Sequence, residues 1–189
     1  MGFLRFLTVL SVGVFTFSLA QAGFSPPCMD DRGSSMNVNN QQVLNWKNST
    51  PNQFKDRGYI QGTLVGVIQA RPSHIHLDVF IGNNGMGTRG RDTDIEVIYN
   101  QEFGEVPRNL RTGVEVIACG DYITSTQQSG HYPPSPLGAI LHWVHKAMNG
   151  RHPNGFLIID GQMYGQQDAP PRHFEPMNEF EAFWNAAGF

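Results

Sequence analysis

Positive charge is scarce in this sequence. Lysine and arginine together number 13 against 16 aspartates and glutamates, and charged residues make up only 15% of the chain. A protein that grips nucleic acid through its phosphates concentrates Lys and Arg on one face, so this balance disfavours general nucleic-acid binding. Cysteine is rarer still: Cys28 has a single candidate partner, Cys119. A long apolar run is missing everywhere beyond residue 22, so no later stretch is suited to cross a bilayer as a helix. No nucleophile–histidine grouping can be assembled from spacing either, because catalytic triads are recognised by geometry and not by sequence order.

The one apolar run stands at the start. "MGFLRFLTVLSVGVFTFSLAQA" carries Arg5, then an apolar stretch from Phe6 to Leu19, and closes on Ala20-Gln21-Ala22 before Gly23. That is the layout of a secretory signal peptide over residues 1–22, with cleavage after Ala22. The competing reading, a membrane anchor, needs a longer run. Removing the leader takes away Arg5 and no acid, leaving 12 basic against 16 acidic residues. The expected product is exported, periplasmic or extracellular, and has no membrane span. Export makes a Cys28–Cys119 disulfide chemically accessible, closing a loop of about 90 residues worth up to ~4.5 kcal/mol in the chain-entropy model. Two unpaired, inert thiols are the equal alternative.

Residues 23–56 read as a Gly/Ser/Pro/Asn-rich linker followed by a short helix in "NVNNQQVLNWKN", with Val43, Leu44 and Trp46 as its apolar contacts. Asn48-Ser49-Thr50 fits a glycosylation sequon, relevant only in a eukaryotic secretory pathway. From Tyr59 the pattern turns to strands. "YIQGTLVGVIQA" is β-branched with two glycines, which suggests a coiled or bulged strand. Ile75, Leu77, Val79 and Ile81 then alternate with His74, His76, Asp78 and Phe80, the period of a half-buried strand. "TDIEVIYN" alternates too, with Thr93, Ile95, Val97 and Tyr99 inward and Asp94 and Glu96 outward. "TGVEVIACGDYI" supplies a fourth strand, "GAILHWVHK" a fifth, and "GFLIIDGQMYG" a hairpin about Asp160-Gly161. The expected fold is all-β: a small, closed, OB-like barrel of five or more strands over residues 57–165, with short N-terminal and C-terminal helices. The tail, residues 166–189, carries the second helix, capped by Asn178 with Glu181 three residues on and striped with Phe180, Phe183, Trp184 and Ala187.

Three motifs compete for function. Gly85-Met86-Gly87-Thr88-Arg89-Gly90 spells G-x-G-x-x-G, but a strand follows it where the dinucleotide motif needs a helix. It reads as a hairpin loop. His74, His76 and Asp78 share a strand face that Asp94 and Glu96 adjoin, offering nitrogen and oxygen donors to a divalent ion. An ordinary solvated face accounts for the same residues and is the simpler reading. "GAILHWVHKAMNGRHPNGF" gathers His142, His145 and His152 with Trp143 and Arg151. As a strand it places His142 with Ile140 and Val144, and His145 with Leu141 and Trp143, so the two histidines point to opposite sides. One ion could then join them only across a bulge.

These last residues carry a resemblance. His142-Trp143-x-His145, Arg151-His152-x-x-Gly155-Phe156 and Gly161-x-x-Tyr164 resemble the signature of the bacterial domain-of-unknown-function 3465 proteins. Looser similarities precede it, at Ser73-His74, Asn100, Pro107-Arg108, Gly113 and Gly120-Asp121-Tyr122, so that the likeness spans roughly residues 59–165. Ile123-Thr124 and the long "HYPPSP" approach depart from the family pattern. The resemblance implies an exported OB-like protein and brings no established activity.

The reading that follows is an exported binding module for a small polar or anionic ligand, an oligosaccharide or an envelope protein. Its ligand-binding residues are His74, Asn100, His142, Trp143, His145, Arg151, His152 and Tyr164. Arg151 suits a carboxylate or phosphate, and an exposed Trp143 would stack on a sugar or base. One alternative is a metal-dependent hydrolase of the cell envelope acting on esters or phosphodiesters. Its ligands would be drawn from His74, His76, Asp78, His142, His145 and His152, and a divalent metal would be its cofactor. The other is a structural envelope protein whose histidines merely brace the wall. No cofactor is assigned to the binding module.

Overall fold

The strand at His74–Phe80 shows most directly how this sequence folds. Ile75, Leu77 and Val79 are buried while His74, His76, Asp78 and Phe80 stay half-buried, the two-residue period of a pleated strand with one face on the core. The protein is described here from a computed structural model, over residues 25–82, 92–148 and 152–168. The leader, the G-x-G-x-x-G loop, Arg151 and the C-terminal helix anticipated from Asn178 all lie outside the described residues.

The architecture is mostly β, with one short helix. In chain order the elements are α1 (Asn40–Ser49), β1 (Lys55–Ala70), β2 (His74–Phe80), β3 (Asp94–Asn100), a 3₁₀ turn at Gln101–Phe103, β4 (Glu115–Thr124), β5 (Ala139–His142), β6 (Phe156–Ile159) and β7 (Gln162–Tyr164). They form one seven-stranded sheet in the order β1-β2-β3-β5-β4-β6-β7, and β1 also pairs with β4. Five strands therefore close a ring: β1-β2-β3-β5-β4 and back to β1. Within it β3 and β5 run parallel and every other neighbouring pair is antiparallel.

Closure depends on the length of β1. Its first half pairs with β4 from Lys55↔Ile123 to Thr63↔Glu115, and its second half with β2 from Thr63↔Phe80 to Ala70↔Ile75. Register shifts fall between Leu64 and Gly66 and between Val67 and Gln69. These bulges supply the bend the two glycines suggested. Inside the ring Ile60, Leu64, Leu77, Val79, Val97, Tyr99, Val116 and Leu141 are buried against one another, each aliphatic side chain among them contributing about 1.5–3 kcal/mol.

Helix α1 adds Val43 and Leu44 to that core, and Trp46 packs against Phe54 and Tyr122. Its asparagines weaken helix propensity but make other contacts. Asn39 Oδ1 accepts from Tyr59 N at 2.8 Å and Asn40 Oδ1 from Gln61 N at 3.0 Å, so the helix start is fastened to β1. The preceding segment, expected as a linker, holds the buried Cys28 and a Met29↔Ser35 bridge. Cys28 and Cys119 stand at disulfide distance, 2.00 Å between sulfurs and 5.7 Å between Cα atoms. The hairpin at Asp160-Gly161 has the two positive φ angles, 50° and 77°, of a tight type I′ connection. Among the described residues no helix is long and apolar enough to cross a membrane.

Candidate functional site

β4 has two successive partners on one side. His142 of β5 stands opposite Asp121, and Phe156 of β6 stands opposite Cys119, with Gly120 alone between them. β5 and β6 are thus one strand in space, and residues 143–155 leave it and return to it. The departure is made by Trp143, whose φ is +51°. That left-handed region is costly for a bulky side chain, by about 1–3 kcal/mol, and such strain concentrates at functional sites. Room for the turn comes from glycine. A Cβ on Gly155 would lie 2.1 Å from Trp143 O and 2.5 Å from Cys119 O, and one on Gly120 would lie 2.3 Å from His142 O.

The sequence pattern is corrected here. Alternation was expected to run through Lys146, placing Trp143 with Leu141 and His142 with Val144. The strand stops at His142 instead. Trp143 joins Ile98, Ile123 and Ile140 on the outer side, while Val144 enters the core with Leu141. His142 and His145 are accordingly not held on strictly opposite faces.

The excursion brings several of the expected residues together. The His74 and His142 rings stack 6.4 Å apart, and His142 meets Trp143 edge-on at 4.4 Å. His152 lies 5.5 Å from Trp143 and 6.1 Å from His145, whose ring stacks on Phe103 at 3.8 Å. Burial holds the pKa of His142 well below the usual imidazole range, and the neighbouring His74, His145, His152 and His76 push it further down. His145 Nδ1 lies 2.9 Å from Lys146 O and His152 Nδ1 lies 3.1 Å from Pro153 O. A carbonyl can only accept, so both rings carry their proton on Nδ1 and leave Nε2 as an acceptor when neutral.

The remaining expected residues make their hydrogen bonds and ring contacts with residues outside this group. Asn100 pairs with His74 in register, yet its Oδ1 accepts from Glu102 N at 2.9 Å and caps the 3₁₀ turn. Tyr164 packs edge-on against Tyr99 at 6.4 Å. His76 Nδ1 is 2.6 Å from Glu96 Oε1, while Ser135 Oγ donates to Glu96 Oε2 at 2.5 Å. Asp94 and Glu96, expected outward, are only 3% and 4% exposed, so theirs is not a solvated face. Beside them the carboxyl of Asp78 is pushed up to about 6, first by burial and then by Asp94 and Glu96, against the pull of Lys47. Among the described residues, no group of three or more His, Cys, Asp or Glu side chains is placed to hold a metal ion.

Sequence reasoning missed Arg57. It is 2% exposed and pairs with Asp121 through Nη1. Its Nε donates to Met29 O at 3.1 Å, and its Nη2 donates to Pro153 O at 3.3 Å and Asn154 O at 2.6 Å. One guanidinium thus joins β1, β4, the N-terminal segment and the return of the excursion. The period of β1 could not have flagged it, because Asp56 beside it is exposed and Lys55 and Tyr59, two residues to either side, are only half-buried. Above this junction lies a cleft of about 690 Å³, walled by Pro26, Pro27, Met29, Asp30, Asp31 and Gly33 on one side and by residues 152–156 on the other, with Asp121 and Gln166 between. Comparison with family models, with curated proteins and with solved structures found no match to this chain.

Proposed function

We propose that this chain is an exported, OB-like binding module that takes a small polar ligand in the cleft above Arg57. The OB-like reading is supported by the ring order β1-β2-β3-β5-β4 and by the parallel β3–β5 pair. Export is supported by the leader pattern and by the paired cysteines. The observation that carries the binding reading is the cleft itself. It has the size of a small-molecule site, and it opens where the strand opposite β4 is interrupted. Its polar groups belong to three segments locked together by one buried guanidinium, which is the preorganisation a binding site needs. The cluster of His74, His142, Trp143, His145 and His152 forms the buttress behind the wall, with His152 shared between buttress and cleft.

The test is isothermal titration of the purified chain against amines, saccharides, nucleotides and short peptides, repeated on His152→Ala. Saturable heat from one panel, weakened about tenfold by His152→Ala, supports the reading; silence from every panel sinks it. The metal-hydrolase alternative has no assembled ligand set among the described residues. The structural alternative predicts that His152→Ala lowers the melting temperature and leaves every titration silent.

A further inference from the structure

Imidazoles meet from both sides where the excursion lies back on the sheet. His74 of β2 stacks on His142 of β5 at 6.4 Å, and His142 meets Trp143 at 4.4 Å. Trp143 meets His152 at 5.5 Å, and His152 meets His145 at 6.1 Å. Trp143, His145 and His152 belong to the excursion, whereas His74 and His142 belong to the strands beneath it. His142 and His145 are buried. The carboxylates of the adjoining elements are engaged elsewhere. Glu96 of β3 is held by His76 and Ser135, and Asp121, opposite His142 in register, by Arg57. Asp78 and Asp94 act on one another, and Glu102 bonds to Asn100. The lysines nearby are Lys55, 6.0 Å from the Trp143 ring, and Lys146, paired with Asp168. The charges that bear on His142 are those of His74, His145, His152 and His76, all of one sign.

We propose that the excursion, in its described residues 143–148 and 152–155, is an acid-operated latch. When imidazoles on both sides of the contact gain protons, like charges face one another and the excursion leaves the sheet, taking residues 152–155 out of the cleft wall. The inference holds whether or not the cleft takes a ligand. A buried ring surrounded by other imidazoles resists charging while the latch is closed, and regains its ordinary value near 6.5 once the latch opens. The open state therefore binds more protons below that pH, so the latch is closed above it and loosens as the pH falls. One imidazole that charges only on opening raises the open fraction about tenfold between pH 7.5 and 5.5, and two raise it about a hundredfold.

Amide hydrogen exchange on the full chain tests this, because three amides report the closed latch. Lys146 N donates to Gly165 O at 2.6 Å, Ala147 N to Asn154 Oδ1 at 2.9 Å and Gly155 N to His145 O at 2.8 Å. Exchange is measured with EDTA present and corrected for its intrinsic pH dependence. Opening at these amides should rise tenfold or more from pH 7.5 to 5.5, with the amides of β1 and β4 unchanged. His142→Gln should remove about tenfold of that rise, and His131→Gln, at an exposed position, none of it. If His142→Gln does not fold, the half-buried His74 takes its place, and His74→Gln should reduce the rise. A flat profile overturns the latch. So does equal opening of β1 and β4, which would mean global acid unfolding, and so does a rise that the array substitutions leave intact.

Discussion

A tryptophan in the left-handed region is tolerated only where surrounding atoms leave it no alternative, and here two glycines provide that constraint. Gly155→Ala should therefore destabilise the fold by about 3 kcal/mol, because backbone and not a flexible side chain meets the new methyl. Gly33→Ala is the control: its φ of +78° strains an L residue, but nothing lies within 4 Å, so about 1 kcal/mol is expected. Urea melts of the two variants separate close approach from backbone strain. Asp78 offers a second measurement. Its pKa is raised, so the folded state favours the protonated carboxyl. That contribution is full below the unfolded value near 4 and is lost as pH rises through about 6. Asp78→Asn should equal the parent chain in stability near pH 4 and exceed it near pH 7.5, and unchanged pH dependence would contradict the assignment.

Among the elements, β2 was legible because its period of two matches one dry and one wet face. β3 has the same period and a different fate. Its outward Asp94 and Glu96 are covered, and Glu96 is met by Ser135, a residue far along the chain. Alternation states which residues share a face; it does not state what lies over that face. β5 failed for a related reason. "AILHWVHK" alternates well as far as Lys146, but the strand ends at His142 because Gly120 and Gly155, distant in sequence, let the backbone turn out. The N-terminal segment was misjudged by composition, since a stretch rich in Gly, Ser and Pro is still fixed when one cysteine and one arginine hold it. Those two ties can be measured. Cys28→Ser with Cys119→Ser should lower stability by up to ~4.5 kcal/mol and make residues 25–36 sensitive to limited proteolysis, with the β-sheet signal in circular dichroism retained. Arg57→Met leaves Asp121 without its buried partner and should cost about 3 kcal/mol.

For the molecule as a whole, strand content was readable and closure was only partly so. The β-branched runs and turn residues announce an all-β chain, and the seven-stranded sheet bears that out. That β1 would bend to serve both β2 and β4 could be suspected from its glycines, but its reach back to Lys55 could not. The candidate site was little legible: of the expected ligand-binding residues, only His152 is among the described residues that line the cleft. The histidines and Trp143 do gather, whereas the cleft depends on Arg57 and Asp121, which face each other across β1 and β4 but lie 64 residues apart in sequence.

The broken strand opposite β4 has one more consequence. Departure and return of the excursion lie two pairing positions apart on β4, so the ring does not constrain how much chain passes between them. The sheet and the segment it displays can therefore diversify separately. A graft that replaces residues 147–151 with a Gly/Ser stretch twice as long lengthens the excursion by under half and should cost only about 0.3 kcal/mol in closure entropy. In evolutionary terms, this scaffold could exchange the excursion while keeping its sheet, and loop-swapped variants with unchanged circular dichroism would show it.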